Sequence, residues 1–425
     1  MPEAVCENLI VLCIDNLNPA FLGCYGNSTV DTEHLDHLAA ESLVFDACYA
    51  AVPECDAARR QMLTGRSLLA EPQGAALPWG QLGVRRTWVG PSDRLDRLQE
   101  LFADFTEAVG VEPDEGGRTS PSSVLAAAVD WLSAHHRSGS FLLWIELDSL
   151  LAPRHVPEDW LRLYEDELAG LRRTDDRQPI RFEQLQEEGA WSGAADEEAW
   201  EGYRVIWGPL LSSQIALRYA AALTWTDDAL GEFLAALRDS ALWENTAIVL
   251  VSDHGERIVT RSDQVEEGTP APCLHEEWLH VPLLVRIPGG CRLAGRSQAL
   301  LELADIGPGI LDLLGHSPNE STLGALVRGQ TNAGRSEIVH HAPEANRWGL
   351  RTRDWLFVTQ LDPRGPHEFR DEFDKEEQVL ANSWLYAKPE DRWERNDLKR
   401  AEPVTCVEMF DRLVALVTGR SGAVP

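Results

Sequence analysis

Cys55 and Arg59 stand four residues apart at the start of a helical stretch, and two polar pairs, Asp15-Asn16 and Asp253-His254, each follow an apolar run. These are the residues whose types and spacing could do chemistry. A cysteine at a helix N-terminus sits where the macrodipole favours negative charge. An arginine one turn on shares its helix face. Two carboxylates, an amide and an imidazole at strand-to-loop junctions make a mostly oxygen-donor set, which suits a hard divalent cation. With the thiol retained, Asp15, Cys55, Asp253 and His254 also compose a zinc set. Blander roles stand beside these: an aspartate capping a turn, or a cysteine serving as a small buried hydrophobe.

The elements that must position these residues are legible as apolar runs. Leu9 to Ile14, Ser140 to Leu147 (SFLLWIEL), Thr246 to Ser252 and Val281 to Ile287 read as strands buried on both faces. His34 to Ser42, Asp56 to Leu63, Ser122 to His135 and Gln214 to Arg238 read as helices. The alternation predicts an α/β fold, a doubly wound mixed sheet with its site at the carboxyl ends of the strands. Asp15 and Asp253 would then meet at one sheet edge. Residues 1–330 are expected to form this α/β domain, with a charged, Trp-bearing surface insertion at about 158–201. Residues 331–425 are expected to form a smaller C-terminal α+β subdomain.

A chain of 425 residues with 44% hydrophobic content can build a substantial core. The net charge of −31 argues against nucleic acid and anionic membrane surfaces as partners. It also means that an anionic ligand needs a local cationic site. No apolar run approaches the ~20 residues of a membrane span. Met1 to Glu7 is too short for a secretory signal ahead of the first strand, and the eight cysteines are scattered without a C-x-x-C pair. A cytoplasmic protein with reduced thiols is expected. Oligomeric state is not legible.

Cys55 to Arg66 reads CDAARRQMLTGR, which resembles the nucleophile motif C-x-P-x-R followed by L-T-G-R of the sulfatases, with Ala57 at the usual proline. NLIVLCIDNLNPAFLGCYGNSTVDTEHLDHLAAESLVFDACYA (Asn8 to Ala50) is similar to the opening of that family. RYAAALTWTDDALGEFLAAL (Arg218 to Leu237), NTAIVLVSDHGE (Asn245 to Glu256), HEEWLHVPLLVRIPGG (His275 to Gly290) and LYAKPEDRWERNDL (Leu385 to Leu398) follow in the family order. The chain is identified as a divergent member of the sulfatases, within the alkaline phosphatase superfamily. The resemblance implies sulfuric ester hydrolysis by a formylglycine made from Cys55, supported by Arg59. It implies a Ca²⁺ site at Asp15, Asn16, Asp253 and His254, weakened because Asn16 replaces an aspartate and removes a formal charge.

The resemblance breaks at the charged clamp. The family holds sulfate with a lysine and a histidine in G-K-x-H-L-G, a second lysine ahead of Y-E-E-G-x-R-V-P, and a histidine in H-x-P-W. Here no lysine precedes Lys375. Pro91 and Asp93 align with the first lysine and histidine, Ala271 with the second lysine, and Leu151 with the last histidine, with His155 four residues on. Arg60, Arg85, Arg86, Arg154 and Arg257 are the arginines near the candidate loops. The expectation is a degenerate site, weakly active or inactive, that still receives a small anionic ester or sulfated ligand. The alternative is an active hydrolase of sulfate, phosphate or phosphonate esters with an arginine-rebuilt clamp.

Overall fold

The computed structural model describes residues 4–69, 77–98, 102–113, 119–150, 156–164, 197–256, 274–289, 294–316, 320–365 and 369–419. The first half of the chain runs β1 (Asn8–Ile14), α1 (Glu33–Ala40), β2 (Leu43–Tyr49), α2 (Cys55–Thr64), β3 (Arg85–Pro91), α3 (Ser92–Leu98), β4 (Glu107–Val111), α4 (Pro121–His135) and β5 (Phe141–Leu147). Then come α5 (Glu158–Arg162), α6 (Glu197–Asp239), β6 (Thr246–Val251), α7 (Glu276–Leu279), β7 (His280–Arg286), β8 (Gly295–Ser297), β9 (Leu301–Glu302), α8 (Ile306–Leu313) and α9 (Thr322–Val327). The chain closes with β10 (Glu337–Ala342), β11 (Arg347–Thr352), β12 (Trp355–Thr359), α10 (Glu372–Ala381), β13 (Ser383–Ala387) and α11 (Pro403–Thr418). Most of the expected 158–201 insertion, residues 165–196, lies outside the described residues, while 197–201 open α6.

The large sheet has the order β4-β3-β5-β1-β6-β7-β2-β8, with β9 also paired to β2. From β4 to β6 every pairing is parallel; β7 runs antiparallel to both β6 and β2. This is the mixed, doubly wound sheet that the apolar runs predict. Its central strand shows why. Leu9, Val11 and Cys13 point into one core, shared with α2 and α8, while Ile10, Leu12 and Ile14 point into another, shared with α1, α4 and α6. A strand buried on both faces has no polar face to alternate with, so it reads as one apolar run.

The smaller sheet, β10-β11-β12-β13, is antiparallel throughout. One of its faces sends Ile338, Leu356 and Val358 into the first core; the other packs Leu350, Phe357 and Leu385 against Phe410 and Leu413 of α11. Among the described residues no helix is long and apolar enough to cross a membrane, and six cysteines, at 6, 13, 24, 48, 55 and 406, are free.

Candidate active site

Four adjacent strands deliver the site. Because β3, β5, β1 and β6 are parallel neighbours, their carboxyl ends open on one edge, where such sheets bind ligands. From β1 come Asp15 and Asn16, from β5 Glu146 and Asp148, and from β6 Asp253 and His254. Beyond β3, α3 contributes Arg94. Register fixes the depth: Cys13 sits opposite Glu146 on one side and Val251 on the other. The Asp15 N–H then donates to the Leu147 carbonyl at 2.9 Å, extending the ladder one residue into the loop.

Cys55 is the first residue of α2, half-buried, so it faces the helix's unpaired N–H groups. Its Sγ lies 3.0 Å from His254 Nε2, and His254 Nδ1 lies 3.3 Å from Asp253 Oδ1. Burial opposes a charged imidazole. The Asp253 carboxylate and the Cys55 contact nonetheless hold His254 well above its ordinary pKa. The 252–256 loop is pinned by Ser252, whose hydroxyl donates to the His254 carbonyl at 2.7 Å and accepts from the Leu17 N–H at 3.1 Å. Gly255 packs so closely on α7 that a Cβ there would stand 2.2 Å from the Glu277 carbonyl oxygen.

Beneath them lies a buried charge cluster. Arg59 donates to Asp15 Oδ1 and stands 3.2 Å from Asp253 Oδ2 and 3.4 Å from Glu146 Oε1. Arg94 pairs with the other oxygen of Asp15 and approaches Asp148 at 3.9 Å. Burial pushes the Glu146 carboxyl up to about 7, Arg59 opposing this and Asp15 reinforcing it. Asp253 is driven the other way despite its burial, held well below the carboxylate range by His254 and Arg59. Asn16, in the left-handed region at φ 58°, donates through Nδ2 to Glu256 at 2.9 Å, and its carbonyl accepts from the Tyr219 hydroxyl.

The structure thus brings Asp15, Asn16, Cys55, Arg59, Asp253 and His254 to one place. Cys55, Asp253 and His254 alone offer sulfur, oxygen and nitrogen atoms within 4.8 Å of one another. Asn16 Oδ1 and Asp253 Oδ2 are buried acceptors with no hydrogen-bond donor aligned on them. The orphaned amide oxygen of Asn16 beside these carboxylates is what a divalent cation satisfies, so the residues present fit one. At the clamp, Pro91 ends β3 and Asp93 is exposed on α3. Leu151, Arg154, His155, Arg257 and Ala271 lie outside the described residues. Arg60 is exposed, Arg85 pairs with Glu107 at 3.7 Å, and Arg86 donates to the carbonyls of Leu82, Val84 and Asp104. None of those three contributes to the charge cluster. Arg94 does, and it was missed. Its only sequence signal is its place next to Asp93. Glu146 was missed as well, although a lone acid in FLLWIEL signals a charge held at a strand end.

The sulfatase family model matches residues 7–316. The chain belongs to the sulfatase family. It is 22% identical to an arylsulfatase of Clostridium perfringens, over 88% of this chain and 89% of that one. It is 24% identical to an ulvan-active sulfatase of Formosa agariphila, over 93% and 80%. Among solved structures, one in complex with its substrate D-glucosamine-2-N,6-O-disulfate superposes with a TM-score of 0.68 at 16% identity, covering 98% of this chain and 99% of that one. The phosphonate monoester hydrolase of Agrobacterium radiobacter gives 0.67 at 17%, covering 97% and 96%. At such identities the structural likeness speaks for the alkaline phosphatase fold. The family and its relatives make this a sulfatase-family hydrolase.

Proposed function

We propose that this sulfatase-family chain binds Ca²⁺ through Asp15, Asn16, Asp253 and His254. With it the site receives a small anionic ester, a sulfate ester of a sugar or aryl alcohol, and hydrolyses it far more slowly than a member with an intact clamp. The charge balance of the cluster carries this reading. Among the described residues, the carboxyl groups of Asp15, Glu146 and Asp253 pair with the guanidiniums of Arg59 and Arg94 and the imidazole of His254, and Asp148 stands 3.9 Å from Arg94. Even with His254 protonated and Glu146 half-neutral, an incoming anion meets no surplus of positive charge. A cation bound there would supply that charge and polarise an ester oxygen.

The chain's own residues do the rest. Residue 55 sits at the helix N-terminus, where developing negative charge is favoured; conversion of Cys55 to formylglycine would place an oxygen nucleophile there. His254 Nε2, 3.0 Å from Cys55 Sγ, is placed to hold or pass a proton there. Arg59, anchored by three carboxylates, keeps Asp15 and Asp253 in place. The lysines and histidines that would grip the transferred group are missing from Pro91, Asp93, Leu151 and Ala271. Removing one such preorganised donor costs ~10²–10³ in rate, and a missing general acid ~10²–10⁴.

A second reading has one observation behind it. The planar fork of Arg94 matches phosphoryl oxygens better than an ammonium does, which favours phosphate or phosphonate esters on a rebuilt clamp. Both are tested on protein co-expressed with a formylglycine-generating enzyme, with residue 55 verified by peptide mass. Turnover of an aryl sulfate should be slow and vanish in Cys55→Ala. Robust Cys55-dependent turnover of the sulfate overturns the slow-hydrolase reading, and faster turnover of the phosphonate selects the second.

A further inference from the structure

The two guanidiniums on Asp15 are not equivalent. Arg59 has 1% of its side chain exposed and three carboxylate partners. Arg94 reaches in from the seven-residue α3, has 10% exposed, and pairs closely with Asp15 alone, Asp148 standing 3.9 Å away. Each Asp15 oxygen therefore already carries a cationic group. A divalent cation using Asp15 must repel one of them in a low-dielectric site, and the group with fewer partners yields.

We infer that Arg94 is a tethered competitor for the cation site: a divalent cation arriving at Asp15 displaces its guanidinium, and the displaced guanidinium becomes the group that receives the anionic ester. This rests on the cation reading above and adds to it a coupling between two ligands. Arg94 is nine-tenths buried where it stands, and without Asp15 its neighbouring carboxyl groups among the described residues are Asp148, at 3.9 Å, and the part-neutral Glu146. A charge in that position is costly until an anion pairs with it. Binding the cation thus prepares the anion site, and by linkage the anion must tighten the cation by the same factor. The arginine stands one residue beyond Asp93, so the segment that lost the family's cations has regained one under control of the metal.

The test is calorimetric Ca²⁺ binding to wild type, Arg94→Met and Arg94→Lys, each with and without inorganic sulfate, folding being checked by circular dichroism. If Arg94 occupies Asp15 in most molecules, its removal raises the competent fraction, and Arg94→Met should bind Ca²⁺ ~10-fold more tightly. Arg94→Lys retains a competing charge and should stay near wild type. Sulfate should tighten Ca²⁺ binding to wild type by ~5-fold or more and leave Arg94→Met unchanged. Ca²⁺ binding to Arg94→Met but not to wild type would also support the competitor. Equal Ca²⁺ affinity in wild type and Arg94→Met overturns it while leaving the cation reading intact. Absence of Ca²⁺ binding in every variant overturns both. Should Arg94→Met not fold, the wild-type experiment decides, since a Ca²⁺ affinity indifferent to sulfate also removes the coupling.

Discussion

Two of the buried charge clusters among the described residues are built on opposite principles. At the seam between the large and small sheets, Glu276 and Glu394 meet Arg351 and Lys388, two negative charges against two positive. Glu276 accepts from the Arg351 guanidinium at 2.9 Å, from Lys388 at 3.1 Å and from the Tyr49 hydroxyl at 2.8 Å. Burial works against its charge, yet Arg351 and Lys388 hold it well below the carboxylate range. Burial also keeps the neighbouring His280 neutral, down to about 4. At the sheet edge, by contrast, four carboxyl groups stand beside two guanidiniums and an imidazole among the described residues, and Asn16 Oδ1 and Glu146 Oε2 have no donor aligned on them. A charge-balanced cluster, whose carboxylates are all paired, holds two sheets together. A carboxylate-rich one is what a bound cation would complete.

The sharpest way to break the contrast is at the seam. Glu276→Ala leaves Arg351 and Lys388 buried with only Glu394 between them, and stranding a buried charge costs about 3–5 kcal/mol. Urea unfolding should show a loss of that size, with the Ca²⁺ response of the surviving folded protein unchanged. A loss below about 1 kcal/mol would mean that the seam is no better satisfied than a surface pair.

A smaller effect should follow from Asp253→Ala. Asp253 stabilises Arg59 and His254 but leaves three other carboxyl groups in the cluster, so its removal should destabilise less than Glu276→Ala does. Its signature is different. Saturating Ca²⁺ should raise the melting temperature of wild type, by about 2.7 kcal/mol of added stability at roughly a hundredfold excess over Kd, and leave Asp253→Ala unmoved. Identical melting of both proteins with and without Ca²⁺ would show that the acidic pairs at the strand ends are structural remnants. The comparison between clusters would then collapse.

What was legible in the sequence follows the same division. LIVLCI, AIVLV and FLLWI announce their strands because nothing polar interrupts their burial, and the polar residues that follow them must lie at a sheet edge. Asp15 and Asp253 were therefore readable from the family order together with their place after apolar runs, and Cys55 from the motif CDAARRQMLTGR at the head of a helix. Arg94 was not. The chain is rich in arginine, and which one folds inward depends on where β3 stops: Pro91 ends the strand and α3 turns Arg94 toward Asp15 while leaving Asp93 in solvent. Glu146 was hidden by its own strand, whose hydrophobic neighbours set the reading. The seam cluster was equally invisible. Glu276, Arg351 and Lys388 come from distant segments, and only the docking of the small sheet on α7 and β7 brings them together.

The smallest effect concerns pH and the carboxylate excess itself. Glu146 has its folded pKa raised from an ordinary 4.5 to about 7. Between those values the folded state binds more protons than the unfolded one, so stability falls as pH rises through that window. Glu302, pushed by burial to about 7, and Asp227, pushed to about 6, add parallel slopes, while His280 and His340, pushed down by burial to about 4 and about 3, slope the other way. His254, raised above 6.5, adds loss only at higher pH, and Asp253, depressed below 3.8, loses its contribution only in acid. Glu146→Gln should therefore lose less melting temperature, or gain more, than wild type between about pH 5 and pH 7.5. Saturating Ca²⁺ should shift the wild-type slope in the same way, because added positive charge at Asp15 and Asp253 relieves the repulsion that favours a proton on Glu146. Glu276→Gln at the neutral seam should leave the slope as it is. A Glu146→Gln protein with the wild-type slope would place the excess charge elsewhere, and the site would be no less balanced than the seam.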